Sequence, residues 1–370
     1  MISLKLSRFP LMALAALSLL AALWAGLVRL GWDLPVPVLN LPANHGPLMI
    51  TGFLGTLICL ERSVALMRSW PYGGPLLAAM SSLALLADMP LPTAPLLATA
   101  ASLFLVAIFV VLCRQHLSDF LLTMGLGAFL WFVGNLLWSA GYPLSRVVPW
   151  WIGFLVITIA GERLELSRLT RLSVISRAAF HVCVGVFLLG LAISLWAFGS
   201  GLRLSAIALV ALALWLLRFD IAWRTVRHVG LPRFMAVCLL SGYLWLGIGG
   251  LLCFLFADLF TSGHYYDAVL HAIFLGFVFP MIFAHAPIIF PSITELAMPF
   301  RRAFYGHLGL LHVSLLLRVG GDLTLWTGGK KWGGLLNVLS IVLFLVNNIY
   351  SVRAGQAEER EATVTLSSFQ

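Results

Sequence analysis

The sequence is poor in charge and lacks any cysteine motif. Asp, Glu, Lys and Arg make up only 10% of its 370 residues, whereas they make up about 25% of a soluble domain. The five cysteines are scattered among apolar segments without a Cys-x-x-Cys pair, which excludes a disulfide framework and a thiolate metal site. No glycine-rich phosphate loop or serine-hydrolase elbow is present. The motifs of the common soluble enzymes are therefore missing.

Long hydrophobic runs take their place. Hydrophobic residues make up 61% of the chain, and most runs approach the roughly 20 residues that cross a bilayer as a helix. The runs are 9–30, 45–66, 74–89, 94–113, 119–141, 147–165, 178–198, 202–222, 233–260, 267–290, 303–319 and 334–352. They predict an all-α polytopic membrane protein with twelve transmembrane helices in residues 1–352. A polar tail, 353–370, is expected to be disordered.

The basic residues indicate how these helices are oriented. Of the 23 Lys and Arg residues, all but six fall at the helix ends that lie on the same side as both termini. The six exceptions are Arg29, Arg146, Arg203, Arg318, Lys330 and Lys331. Basic residues concentrate on the cytoplasmic side, so this pattern predicts a multi-pass protein of a bacterial-type cytoplasmic (inner) membrane with both termini cytoplasmic. It also accounts for the net charge of +9 without a nucleic-acid partner.

Three of the segments repeat one pattern. In His45–Leu66, 150–165 and 271–290, a Gly-Phe pair is followed nine residues after the Gly by a polar side chain. The three sets are Gly52-Phe53 with Glu61, Gly153-Phe154 with Glu162, and Gly276-Phe277 with His285. These segments are spans two, six and ten. The spacing predicts three pseudo-repeats of four helices, at about 1–117, 118–231 and 232–352, arranged around an axis.

Two histidines near the outer ends of repeated spans are candidate haem ligands. His45 and His271 begin spans two and ten at matching depth. Two imidazoles that face each other across a helix bundle can ligate a haem iron axially. The alternative for each is an interfacial histidine bonded to a carbonyl group or water.

A second layer is expected nearer the cytoplasm. His285 lies 14 residues after His271, about 21 Å deeper at the helical rise, and His307 and His312 are expected at similar depth. These three could hold a second haem or a metal ion. Alternatively, they are helix-end histidines that bond to carbonyl groups or lipid headgroups.

Glu61 and Glu162 occupy the position of His285 in the other two repeats and are proton-relay candidates, since ionisable groups inside a membrane are costly. Arg62 and Arg163 follow them directly, so local neutralisation is the alternative. Four aspartates near span ends are expected to be solvated at the interface: Asp88, Asp220, Asp258 and Asp322.

The stretch HGPLMITGF at residues 45–53, together with HAIFLG at 271–276, resembles the NnrS family. Its members are twelve-span membrane proteins associated with haem and copper and linked to nitric oxide and denitrification. The layout is also similar, distantly, to subunit I of the haem–copper oxidases. The resemblance covers about two helices and implies a haem, most simply of b type, with a redox partner or a small gas ligand such as nitric oxide.

This chain departs from both patterns at the copper ligands. Span six has no histidine, span seven has only His181, and the family's His-Ala-His-Glu start is reduced to His45. The sequence therefore does not predict reduction of oxygen or nitric oxide at a haem–copper pair. It leaves copper binding open as an alternative and predicts no catalytic residue.

The leading hypothesis is thus a haem-binding membrane protein of NnrS type in nitric oxide or respiratory redox metabolism. A haem-dependent oxidoreductase is one form of it. The alternatives are a proton-coupled secondary transporter without cofactor, and an accessory protein for haem or copper insertion.

Overall fold

The computed structural model describes residues 8–90, 92–167 and 172–367, with side chains to Glu358. Within these ranges the chain is all-α, with no strand beyond one isolated bridge. Its long helices are α1 Arg8–Arg29, α2 His45–Leu66, α3 Gly73–Leu86, α4 Thr93–Gln115, α5 Asp119–Ser139, α6 Leu144–Leu166, α7 Val174–Ser194, α8 Phe198–Phe219, α9 Leu231–Leu255, α10 His264–Thr294, α11 Phe304–Leu323 and α12 Thr327–Ser367. Ten of them, all except α3 and α11, are long and apolar enough to cross a membrane. This is the architecture of a polytopic membrane protein.

The ends of the helices follow local signals. The Ser173 hydroxyl caps α7 by accepting a hydrogen bond from the Ser176 amide at 3.1 Å. Met67, at φ 51°, and Glu295, at φ 63°, take the left-handed conformation that ends α2 and α10. α12 continues through Arg353, where the sequence predicts a disordered tail. The structure therefore differs from the sequence prediction over 353–367, and residues 368–370 of the predicted tail lie outside the described residues.

Consecutive helices pack against one another, and α12 returns to contact α1. In the most apolar stretches of α2, α6 and α10, 67%, 83% and 61% of the residues are buried inside the protein. In the other candidate spans this share ranges from 33% to 56%. These three helices, which carry the repeated pattern, therefore form the centre of the bundle. The other helices surround them.

The glycine of each Gly-Phe pair lies where a neighbouring helix comes close. A methyl group at Gly52 would collide with Ser82 of α3, and one at Gly276 would lie 2.5 Å from Trp245 of α9. Around these glycines α2 and α10 widen into π-helix, over Leu48–Gly55 and Phe274–Val278. Such π segments are often found at functional sites, and here each begins three residues after a histidine, His45 or His271.

Candidate functional site

His45 and His271 lie next to each other at one end of the bundle. His45 is the first residue of α2, and His271 lies in the second turn of α10. Their ring centroids are 6.5 Å apart, with the ring planes inclined by 24°. Phe53 and Phe279 stack at 6.3 Å further along the same two helices. The structure thus brings together the two histidines that the sequence predicts as a pair.

Both rings are held in the same way, through Nδ1. His45 Nδ1 donates to the carbonyl oxygen of Ala22 at 2.7 Å, and His271 Nδ1 donates to that of Asp267 at 2.8 Å. A carbonyl oxygen only accepts, so in each ring Nδ1 carries the proton and Nε2 carries the lone pair. Among the described residues nothing hydrogen-bonds to either Nε2. Metal-ligating histidines commonly have this arrangement, with the second nitrogen bonded to a carbonyl group.

The two histidines line a cavity of about 400 Å³, within the size range of small-molecule sites. Its wall includes the apolar side chains of Trp151, Phe274 and Phe279. It also includes charged groups, among them Arg29, Arg318 and Lys330. The cavity is thus amphipathic and holds two free imidazole nitrogens.

An ion-pair network surrounds His271. Arg318 donates from Nε and Nη2 to the two oxygens of Asp267, at 3.1 and 3.2 Å. Lys330 lies 3.5 Å from Asp267 and 2.9 Å from Asp322. Since Asp267 also supplies the carbonyl oxygen that binds His271, the network fixes the turn of α10 that carries this ring.

The expectation that Asp220 and Asp322 are solvated at the interface is wrong. Asp322 is completely buried, with Lys330 and His264 as partners, and Asp220 is buried against Arg163. Asp88 and Asp258 are exposed as expected. The sequence reasoning also missed Asp267. Its position four residues before His271, one helical turn away, is the signal that could have found it.

The histidines of the predicted second layer do not form a comparable pair. His285 Nδ1 donates to the Met281 carbonyl oxygen at 2.6 Å. His307 lies among aromatic rings, with Phe283 at 4.6 Å and Phe344 at 5.4 Å between ring centroids. His312 uses both ring nitrogens, accepting from Trp245 at 3.1 Å and donating to Ser241 at 3.0 Å. No cluster of three metal-ligating side chains occurs in the described part of the chain.

The two relay candidates meet at the opposite end of the bundle. Arg62 hydrogen-bonds Glu162 and lies 3.7 Å from Glu61, so it links the two carboxylates. The part of α10 that carries His285, Phe279–Thr294, contacts the part of α2 that carries Glu61, Thr56–Leu66. The repeated polar positions of α2, α6 and α10 therefore lie at the same end of the bundle, where Arg62 joins two of them.

Ten helices that are long and apolar enough to cross a membrane, with a histidine-lined cavity at one end of the bundle, define an α-helical membrane protein with a candidate cofactor site. Residues 8–353 match a family model whose description is "Domain of unknown function (DUF8744)", and the chain belongs to this family. A comparison with curated proteins finds no match.

Proposed function

We propose that this chain is a haem-binding integral membrane protein in which His45 and His271 hold the iron. The observation that carries the proposal is the pair of rings 6.5 Å apart. Each ring is anchored through Nδ1 and has a free Nε2 at a shared cavity. Rings this close can bind one metal ion between them. The amphipathic wall suits a ligand with an apolar body and a charged edge.

The residues fit a non-covalently bound haem of b type better than a covalently attached haem of c type. The sequence contains no Cys-x-x-Cys-His, the attachment motif of c-type haem, so the group would be held by His45, His271 and packing against the cavity wall. When bound, haem supplies one-electron redox chemistry or gas binding. With both His45 and His271 as ligands, the iron would keep no open position for nitric oxide, and the site would suit electron transfer with a redox partner. The resemblance to the NnrS family supports a place in respiratory redox or nitric oxide metabolism.

We propose further that α1 to α12 all cross the membrane, in three pseudo-repeats of four helices. α3, with the 3₁₀ turn Trp70–Tyr72 directly before it, and the 20-residue α11 are long enough to do so within the usual range of about 17–25 residues. The central positions of α2, α6 and α10 support the repeat. The distribution of basic residues supports cytoplasmic termini and a bacterial inner membrane.

The inner cluster of Glu61, Arg62 and Glu162 supports a second candidate, a proton-coupled carrier in which Glu61, Glu162 and His285 form the relay. This candidate predicts a colourless protein and substrate flux in proteoliposomes that Glu61→Gln abolishes. An accessory protein for haem insertion would use the same His45 and His271. Weak haem binding without turnover would distinguish it.

Absorption spectra of the purified protein, oxidised and dithionite-reduced, test the leading proposal. We expect a Soret band and sharp reduced bands in the wild type, and their loss in His45→Ala and in His271→Ala. His116→Ala is the matched control, because His116 lies at the turn after α4, outside the cavity. A wild type without a Soret band, from cells supplied with haem, would overturn the proposal and favour the carrier.

A further inference from the structure

The charged groups around the cavity are not all paired. Arg318 is bound to both oxygens of Asp267, and Lys330 lies between Asp267 and Asp322. The third cation of the wall, Arg29, has no carboxylate within ion-pair distance among the described side chains. Arg29 donates a long hydrogen bond, 3.5 Å from Nη1 to the Pro42 carbonyl oxygen. The cavity therefore has one guanidinium group free to bind an anion.

Arg29 lies on the face of α1 that holds His45. Ala22, whose carbonyl oxygen binds the His45 ring, Gly26 and Arg29 are spaced i, i+4 and i+7, so they share one helix face. A methyl group at Gly26 would lie 3.1 Å from His45 Cε1, so the imidazole packs directly on this face. Arg29 is the last residue of α1 and is exposed. It thus stands about one turn beyond the ring, toward the solvent.

We propose that Arg29 binds a carboxylate of the ligand in this cavity, and that the ligand is a haem oriented with its propionate edge toward the end of α1. This inference rests on the proposed function. A haem has an apolar macrocycle and two carboxylates at one edge. A carboxylate in a partly desolvated site needs a charged hydrogen-bond donor. A guanidinium group can bind it through two nitrogens.

The test is a titration of apo-protein, purified in detergent from haem-depleted cells. Ferric protoporphyrin IX and its dimethyl ester, which lacks both negative charges, are added separately to the wild type and to Arg29→Gln. We expect Arg29→Gln to weaken binding of the free acid by about three- to tenfold, as the loss of a charged hydrogen bond at a partly exposed site would. The ester should bind both proteins equally, and Arg29→Lys should recover part of the affinity.

Arg203→Gln is the matched control. Arg203 is also an outer arginine, but it pairs with Asp258 away from the cavity, so its removal should leave both affinities unchanged. Equal affinity of the wild type and Arg29→Gln for the free acid would overturn the role of Arg29 and leave the haem proposal standing. An equal loss for acid and ester would also overturn it, because Arg29 would then act through the fold. If the wild type binds neither compound, the haem proposal fails as well.

Discussion

Arg163 of α6 donates to Asp220 at the end of α8 through two hydrogen bonds, from Nε at 2.8 Å and from Nη2 at 3.3 Å. The two side chains are 2% and 1% exposed. Tyr243 of α9 donates to the same carboxylate at 3.0 Å, and the Ala222 amide donates at 2.7 Å. One buried ion pair therefore joins α6, a central helix, to α8 and α9 of the surrounding layer.

Removing one partner of this pair should destabilise the protein strongly. Arg163→Leu leaves the Asp220 carboxylate buried without its countercharge, which typically costs about 3–5 kcal/mol. Thermal unfolding in detergent measures the change. In the control, Arg177→Leu, the lost partner is Asp119 in a pair that is about half exposed, so the expected loss is under about 1 kcal/mol. Similar losses for the two variants would contradict the structural role of Arg163.

The link through Arg62 makes a second prediction, about coupling. Arg62→Gln leaves Glu61 and Glu162 partly buried without the cation between them, and we expect a loss of about 1–3 kcal/mol in unfolding free energy. Glu162→Gln added to Arg62→Gln should recover part of this loss, since one unpaired carboxylate is then neutral. The same unfolding measurement on both single variants and the double variant completes the cycle. Strictly additive losses would show that the two side chains do not interact.

The packing of His45 on α1 makes a third prediction. Gly26→Leu places a side chain where the imidazole lies, since even a Cβ atom would be 3.1 Å from Cε1. We expect haem occupancy, measured as Soret absorbance at equal protein concentration, to fall by about fivefold or more, as an overpacked site would predict. Gly185→Leu is the control, because nothing lies within 4 Å of a Cβ atom there. Unchanged haem occupancy in Gly26→Leu would show that the haem does not bind next to this face of α1.

The sequence predicts the helices well because long apolar runs are strong signals. Residues 45–66 coincide with α2, and the run 9–30 is within one residue of α1 at each end. The sequence does not predict the π-helical stretches of α2 and α10. In such continuous hydrophobic runs, polar residues are too few to show a helical period. Nor does it predict the helical path beyond Arg353, where polar composition favours disorder.

The sequence predicts residues of the candidate site only where the repeat places two of them at the same depth in the membrane. That reasoning selected His45 and His271 as a pair, although their haem-binding role stays a prediction. It could not find Arg318 and Lys330, because these groups reach Asp267 from other helices and such distances are invisible in sequence. The same limit explains His312, whose depth suggested a ligand but whose two nitrogens are taken by Trp245 and Ser241.

The surroundings of His307 predict one haem per chain rather than two. Asn347 Nδ2 approaches both the Ala303 carbonyl oxygen, at 3.3 Å, and His307 Nδ1, at 3.0 Å. The carbonyl group fixes this amide nitrogen as a donor, so His307 Nδ1 accepts and Nε2 carries the proton. Nε2 is buried without a partner, in a shell that includes Phe283, at 4.6 Å between ring centroids. A protonated nitrogen enclosed by aromatic rings cannot ligate iron without rearrangement.

His307→Phe should therefore keep the haem content and the reduced spectrum of the wild type, at one haem per chain by pyridine haemochrome assay against protein concentration. The free energy of unfolding of this variant is expected to fall by about 1–2 kcal/mol, because Asn347 Nδ2 loses His307 Nδ1 as an acceptor. His271→Ala is the matched comparison and should lose the haem entirely. Two haems in the wild type, with one lost in His307→Phe, would instead establish the second site, with His285 as the candidate for its other ligand.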